Sequence, residues 1–326
     1  MISPDGQHSV PQVFLLTGFL GSGKTSLILD HLKDPLTKNT GVIVNEVGQI
    51  DVDGALIATG RNGLPMASLD NGCVCCSINS DLPNAIMTLM SEREASGSQP
   101  LERIIIETSG LSKPSPILRS LLGIGMPLRT TVLTTFDSER GIDTSESFEE
   151  AVAQLAAAQT IVLTKADRVK APALKKAIAS AAYLNPLATV IDQRERTERA
   201  RLAFARLQKP LRSGFPVVAR QAPANFNHTR IQVFLLKFED VEWEQLSEWI
   251  ENLVGFCGDR LLRTKGFVRV GGRRVLIQGV GGTFDPPGIV DGRLDREDGL
   301  VVIARDLDRQ DLSKIDPPLK FEVSGA

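Results

Sequence analysis

Four cysteines and three histidines are all that 326 residues offer to soft metals or to disulfide bridges. Three of the cysteines, Cys73, Cys75 and Cys76, fall in the run NGCVCCS (71–77), while Cys257 lies far along the chain. That spacing excludes a disulfide framework. Adjacent Cys75 and Cys76 could bridge only through a strained ring, and a chain this long can bury a core without staples. Charge of one sign is equally scarce. Lys plus Arg number 37 against 39 Asp plus Glu, a net of −2, which argues against an overall basic nucleic-acid binder. No apolar run approaches the ~20 residues that a bilayer-spanning helix needs, so no membrane partner is expected. The segment MISPDGQHSVPQ has no basic n-region of a secretion signal. The expected location is therefore cytoplasmic, where clustered cysteines stay available as thiols.

What is present is an alternation. Short β-rich runs at 13–17, 42–45, 103–108, 131–135, 160–163 and 189–192 are separated by helix-like stretches at 26–33, 81–93, 148–157 and 172–182. Strands alternating with helices predict an α/β fold, a mostly parallel sheet of the P-loop NTPase type covered on both faces. The basic stretch RERTERARLAFARLQK (194–209) reads as an amphipathic helix with a solvated face; the other reading is a partner surface. From about residue 230 the texture changes. IQVFLLKF reads as a strand, and WEQLSEWIENLV as a helix with Trp243, Leu246, Trp249, Ile250 and Leu253 at core spacing. KGFVRVGGRRVLIQGVGG reads as a hairpin turning at Gly271 and Gly272, and GLVVIARDL as a closing strand. These boundaries imply a first domain over 1–210, a Pro- and Asn-bearing linker over 211–228, and a smaller α+β domain over 229–326.

VFLLTGFLGSGKTSLILDHL has the order strand, Gly18-x-x-x-x-Gly23-Lys24-Thr25, helix. The strand aims the loop, and glycines at 18, 21 and 23 let backbone N–H groups turn inward around a phosphate. The helix that follows presents its positive N-terminus. Ser22 and Ser26 belong to the same phosphate-facing segment. Lys24 then reaches the β- and γ-phosphates, and the Thr25 hydroxyl ligates Mg²⁺. In RIIIETSG (103–110) an apolar strand ends in Glu107, a carboxylate for the Mg²⁺ shell, and the Gly110 N–H is placed to sense a γ-phosphate.

IVLTKADRV supplies the base-reading loop, Thr164-Lys165-x-Asp167. Guanine presents two donors on one edge, N1–H and N2–H₂, and the Asp167 carboxylate accepts both. Adenine would leave that carboxylate unpaired, which makes discrimination steep. The Lys165 stem can lie over the base. NEVGQIDVDG (45–54) follows the second strand, where switch residues are expected, and Glu46, Asp51 and Asp53 are candidates to orient Mg²⁺ or the attacking water.

Taken in order, GFLGSGKT, NEVG, GCVCCS, ETSG and TKAD resemble the CobW-like P-loop GTPases, relatives of the nickel-insertion GTPases of urease and hydrogenase maturation. LLRTKGFVRV, VLIQGV and GLVVIA are similar to that family's smaller second domain, so the resemblance covers most of the chain. It implies GTP hydrolysis to GDP coupled to binding and delivery of a divalent metal, Zn²⁺ first and Co²⁺ as the alternative, to a client metalloprotein. A cobalamin-related or nitrile-hydratase-like client belongs to the cobalt or iron alternative. It also implies that Cys73, Cys75 and Cys76 match the metal motif, and that Glu46 matches a switch glutamate serving nucleotide chemistry or metal ligation. Lys24, Glu46, Asp53 and Glu107 are then the catalytic candidates. The resemblance departs at Val47, where many relatives carry Phe, at Gln49, where they often carry Glu, and at Thr164, where Asn is commoner. A histidine-rich loop near the domain junction is missing, with only His228 there, which argues against high-capacity metal collection.

The chemistry of the cysteines agrees with a transported metal. Thiolates select soft or borderline ions, and three of them with a labile fourth ligand make an exchangeable site, whereas a closed structural zinc site wants four protein ligands. Inert buried cysteines and redox chemistry are the other two uses. Two further functions stay open at this point: a passive GTP-switched metal buffer or sensor, and a P-loop kinase or ATPase with a structural cysteine cluster. A monomer or weak homo-oligomer is expected.

Overall fold

A computed structural model of the chain describes residues 11–34, 37, 39–44, 66–68, 77–125, 128–205, 230–290, 298–317 and 319–324. These residues separate into two compact units, each built on its own sheet. The expected boundary at 210 and the linker 211–228 lie outside the described residues, as do Glu46, Asp51, Asp53, Cys73, Cys75 and Cys76.

The first sheet has seven strands: β1 Gln12–Gly18, β2 Thr40–Val44, β3 Met66–Ser68, β4 Arg103–Glu107, β5 Arg129–Asp137, β6 Thr160–Thr164 and β7 Thr189–Ile191. Their order is β3-β2-β4-β1-β5-β6-β7, and every neighbouring pair is parallel. Central strands of such a sheet are covered twice. That is why β1, β2, β4 and β6 read as near-continuous apolar runs rather than as alternating ones. Helices α1 Lys24–Leu32 and α7 Arg196–Ala203 share a core with one face, through Leu27, Ile28, Leu32, Ala200 and Ala203 against Phe14, Leu16, Val42 and Ile105. On the other face α2 Ser77–Ala95, α3 Pro114–Leu122 and α5 Glu149–Ala157 form the second layer, with Leu89 of α2 lying against Gly41 of β2. Between β5 and β7 the chain also forms α4 Gly141–Ser147 and α6 Ala171–Leu184.

The structure adds β3, α3 and α4 to the sequence reading. It also shortens the helix expected over 194–209 to Arg196–Ala203 among the described residues, and replaces its simple solvated face with a buried Arg199, Ala200 and Ala203.

The second sheet is antiparallel. Its strands β8 Ile231–Phe238, β9 Leu261–Val270, β10 Arg273–Val280, β11 Thr283–Phe284, β12 Gly288–Ile289, β13 Gly299–Arg305 and β14 Phe321–Ser324 take the order β11-β10-β9-β13-β8-β14, with β12 beside β10. Gly271 and Gly272 turn the β9–β10 hairpin as expected, with φ of 53° and 75°. Helix α8 Trp243–Cys257 buries Leu246, Trp249 and Leu253 against this sheet, and α9 Arg309–Ser313 adds Leu312 to the same core. Trp243, expected inside, is 38% exposed because it is the first residue of α8 and lies outside the buried stripe. No helix among the described residues is long and apolar enough to cross a membrane.

Candidate functional site

Strand β1 runs between β4 and β5, and all strands of its sheet point the same way, so their C-terminal ends collect along one edge. Crevices at that edge are where open α/β sheets bind ligands. The loop leaving β1 there is 18–23. Gly18 has φ 141°, and a Cβ on it would fall on the Thr135 hydroxyl and lie 2.7 Å from Ser22 Oγ. Gly23 caps α1 in the left-handed region at φ 94°, a conformation that favours glycine. Gly18 thus meets both needs, close approach and positive φ, while Gly23 meets the second. Gly21 also has positive φ. Ser22 Oγ shares a hydrogen bond with Thr135 Oγ1 at 2.7 Å, and Ser22 N donates to the Phe19 carbonyl at 3.1 Å. Ser26 is exposed on the first turn of α1.

Lys24 Nζ donates to the Gly18 carbonyl at 3.0 Å, so the buried ammonium reaches back over the loop it follows. The Thr25 hydroxyl donates to Glu107 Oε1 at 2.8 Å. Two residues expected to serve Mg²⁺ are thus brought together from positions 82 apart in sequence. Both offer hard oxygen donors, the kind Mg²⁺ takes. Gly110 packs against the same loop: a Cβ there would lie 2.7 Å from Leu20 N, and its carbonyl accepts from Gln154 Nε2 at 3.0 Å. Among the described residues no three His, Cys, Asp or Glu side chains are grouped to hold a metal.

The base-reading candidates follow β6. Thr164 donates its hydroxyl to the Ser22 carbonyl at 2.6 Å, which ties this loop to the glycine loop. Lys165 takes the left-handed region at φ 53°, where a non-glycine residue is uncommon, and its Nζ pairs with Asp137 Oδ2 at 2.5 Å. Asp137 ends β5 and also accepts from Glu139 N at 2.8 Å. Asp167 is 43% exposed at its side chain and faces Arg199 Nη1 of α7 at 3.7 Å.

Sequence reasoning missed Asp137, Arg199, and the pair Asp30 and Arg196. Arg196 Nε donates to Asp30 Oδ2 at 2.8 Å, and Lys33 Nζ donates to Asp30 Oδ1 at 2.8 Å. Burial raises the Asp30 carboxyl, but the hydrogen bonds from Lys33 and Arg196 outweigh it and hold the group below its ordinary range. The basic run 194–201 was the available signal, since a guanidinium series beside a phosphate-loop unit can serve carboxylates within it as well as solvent.

Among known proteins, a family model described as "CobW/HypB/UreG, nucleotide-binding domain" matches residues 12–192, and "Cobalamin synthesis protein cobW C-terminal domain" matches residues 231–315. The chain is 30% identical over 278 residues to "Zinc chaperone YjiA" of Escherichia coli (strain K12), covering 82% of this chain and 85% of that protein. It is 29% identical to "Zinc chaperone CobW" of Pseudomonas aeruginosa, over 91% of this chain and 88% of that protein. The crystal structure of Zn(II)-bound YjiA GTPase from E. coli superposes with a TM-score of 0.67 at 22% identity, covering 96% of this chain and all of that one, which establishes the shared fold.

Proposed function

This chain belongs to the CobW/HypB/UreG nucleotide-binding family, and from that premise we propose that it is a GTP-hydrolysing metal chaperone. In this reading nucleotide state controls the binding of a divalent ion at Cys73, Cys75 and Cys76, and its delivery to a client metalloprotein. The observation that carries the nucleotide half is the 2.8 Å contact between Thr25 and Glu107 beside the Lys24 loop, an arrangement suited to a nucleotide–Mg²⁺ pair. Lys24 would leave the Gly18 carbonyl for the β- and γ-phosphates, exchanging a neutral acceptor for anionic ones. Mg²⁺, when held by Thr25 and Glu107, neutralises charge on the phosphate oxygens. Asp167 accepts the two guanine donors, and Thr164 keeps its loop against Ser22. Glu46 or Asp53 would orient the attacking water. The metal half rests on the donor chemistry of three clustered thiols and on the relatives described as zinc chaperones, which favour Zn²⁺ as cargo.

The test is turnover and affinity for GTP against ATP in the wild type and in Lys24→Ala, with zinc content measured on the same samples. The wild type is expected to prefer GTP and to turn over slowly without a client, as switch GTPases do before a completing group arrives. Lys24→Ala should lose most nucleotide affinity and hydrolysis. Near-normal GTP turnover in that variant would remove the hydrolase reading, and equal affinity for ATP would remove the guanine reading.

A further inference from the structure

The helix that read as a solvated basic face carries one arginine turned inward. Arg199 is 6% exposed at its side chain, against 51% for Arg196 and 63% for Arg201 on the same helix. A buried guanidinium is costly unless its donors are met, and two of the acceptors here are backbone. Arg199 Nη1 donates to the Gln193 carbonyl at 3.1 Å and to the Arg194 carbonyl at 3.4 Å. The same Nη1 lies 3.7 Å from Asp167 Oδ1, an ion-pair separation longer than a hydrogen bond. Helix α7 is itself fastened to the phosphate-loop helix, since Arg196 grips Asp30 of α1 with Nε at 2.8 Å and Nη2 at 3.3 Å. The guanidinium is therefore fixed on one side by helix α7 and the carbonyls, and meets a more exposed carboxylate on the other.

We infer that Arg199 is the positioning residue for Asp167, holding its carboxylate at the angle that accepts N1–H and N2–H₂ of guanine together. The inference rests on the proposed guanine reading. An exposed aspartate can rotate about two side-chain bonds, and reading two donors at once requires both oxygens in the plane of the base. A fixed cation behind one oxygen restricts that rotation without occupying the edge that faces the ligand, because each carboxylate oxygen offers two lone pairs. Burial pushes the Arg199 guanidinium below its ordinary value, and Asp167 is the first of the charges that pull it back. The competing role is a plain structural pin that holds residues 193 and 194 to α7.

Discrimination separates the two roles. Dissociation constants for GDP and for inosine diphosphate, which lacks the 2-amino group, are measured by calorimetry on the full chain. The wild type should prefer GDP by about tenfold or more, the worth of a hydrogen bond to a charged acceptor. Arg199→Gln should cut that preference about fivefold, mostly by weakening GDP, and Arg199→Lys should recover part of it by restoring the charge. Arg201→Gln, on the same helix and paired only to Glu198 among the described residues, should keep the wild-type preference. Equal losses for GDP and inosine diphosphate in both Arg199 variants would overturn the inference and leave the structural pin. Asp167→Asn provides the control on the underlying reading, since an amide should shift preference toward xanthosine diphosphate. If that shift is absent while the variant still binds GDP, the guanine reading fails, and the role of Arg199 fails with it. A normal Asp167→Asn shift beside an unchanged preference in Arg199→Gln sinks the inference alone.

Discussion

His31 shows how a single residue sets a pH response without touching a ligand. It lies in α1, 5% exposed, with its ring 4.5 Å from that of Phe204, and its Nε2 has no hydrogen-bond partner among the described residues. Burial, then the positive charge of Arg103, pushes its pKa down to about 4, against a weaker opposing pull from Asp34. The folded state therefore keeps this ring neutral while the unfolded chain protonates it near 6.5. Below that point the unfolded state binds the extra proton, so stability falls as pH drops from about 6.5 toward about 4. The loss attributable to this one group is about 2 kcal/mol by pH 5 and about 3 kcal/mol once both states are protonated. Urea midpoints of wild type and His31→Phe at pH 7 and pH 5 test this, with the variant expected to lose less on acidification. Parallel pH dependences would place the acid sensitivity elsewhere.

Helix α8 carries both tryptophans of the chain, one inside and one at the surface. Trp249 is fully buried, with its ring 5.4 Å from Phe238 and 5.8 Å from Phe321, so intrinsic fluorescence reports on the second unit. Leu246→Ala, at a fully buried position of the same core, should lower the fluorescence-detected stability by about 2–5 kcal/mol. GDP affinity should hardly change, because every residue proposed for the nucleotide belongs to the other unit; a matching loss of GDP affinity would refute that separation.

Elements were legible where composition and period agreed. The run Ile231–Phe238, the Gly271–Gly272 hairpin and the start of α8 at Trp243 all come from pattern alone. Helix α3 opens at Pro114, and with Pro114 and Pro116 in its first turn it shows no local pattern that separates a helix start from a turn. Helix α4, GIDTSES, has almost no apolar period, and β3 spans three residues, too few to show one. The nucleotide candidates were legible because phosphate binding fixes glycine spacing locally. Asp137 and Arg199 were not, because their partners Lys165 and Asp167 reach them through sheet order and helix packing rather than through any local motif.

At the scale of the whole molecule, the proposed cycle requires the thiols and the nucleotide to sense one another. Strand β3 and the start of α2 flank the cysteine run in sequence, and β2, beside β3, pairs Val44 with Glu107. In the proposed cycle a rearrangement around a γ-phosphate would pass through those strands. Zn²⁺ should therefore bind more tightly with a GTP analogue than with GDP, and the nucleotide preference must shift by the same factor, about 5–150-fold for a coupling of about 1–3 kcal/mol. Binding should release protons from the thiols. Replacing Cys73, Cys75 and Cys76 by Ser should abolish the site and spare GDP binding. Calorimetry giving one Zn²⁺ affinity in both nucleotide states would reduce the cysteines to a static site.

The strand order has a further consequence, for biosynthesis. Strand β1 leaves the ribosome first of the seven, yet its neighbours β4 and β5 begin 91 and 117 residues later by register, Gln12 facing Arg103 and Arg129. The Ser22 carbonyl waits longer still, for the hydroxyl of Thr164. During synthesis the glycine loop is therefore a finished sequence and an unfinished structure, and long-range pairing of this kind is slow to form. A nascent chain halted before β6 should display every residue of the Gly18–Thr25 signature and retain no guanine nucleotide, which would make a bound nucleotide a reporter that synthesis has passed β6 and Asp167.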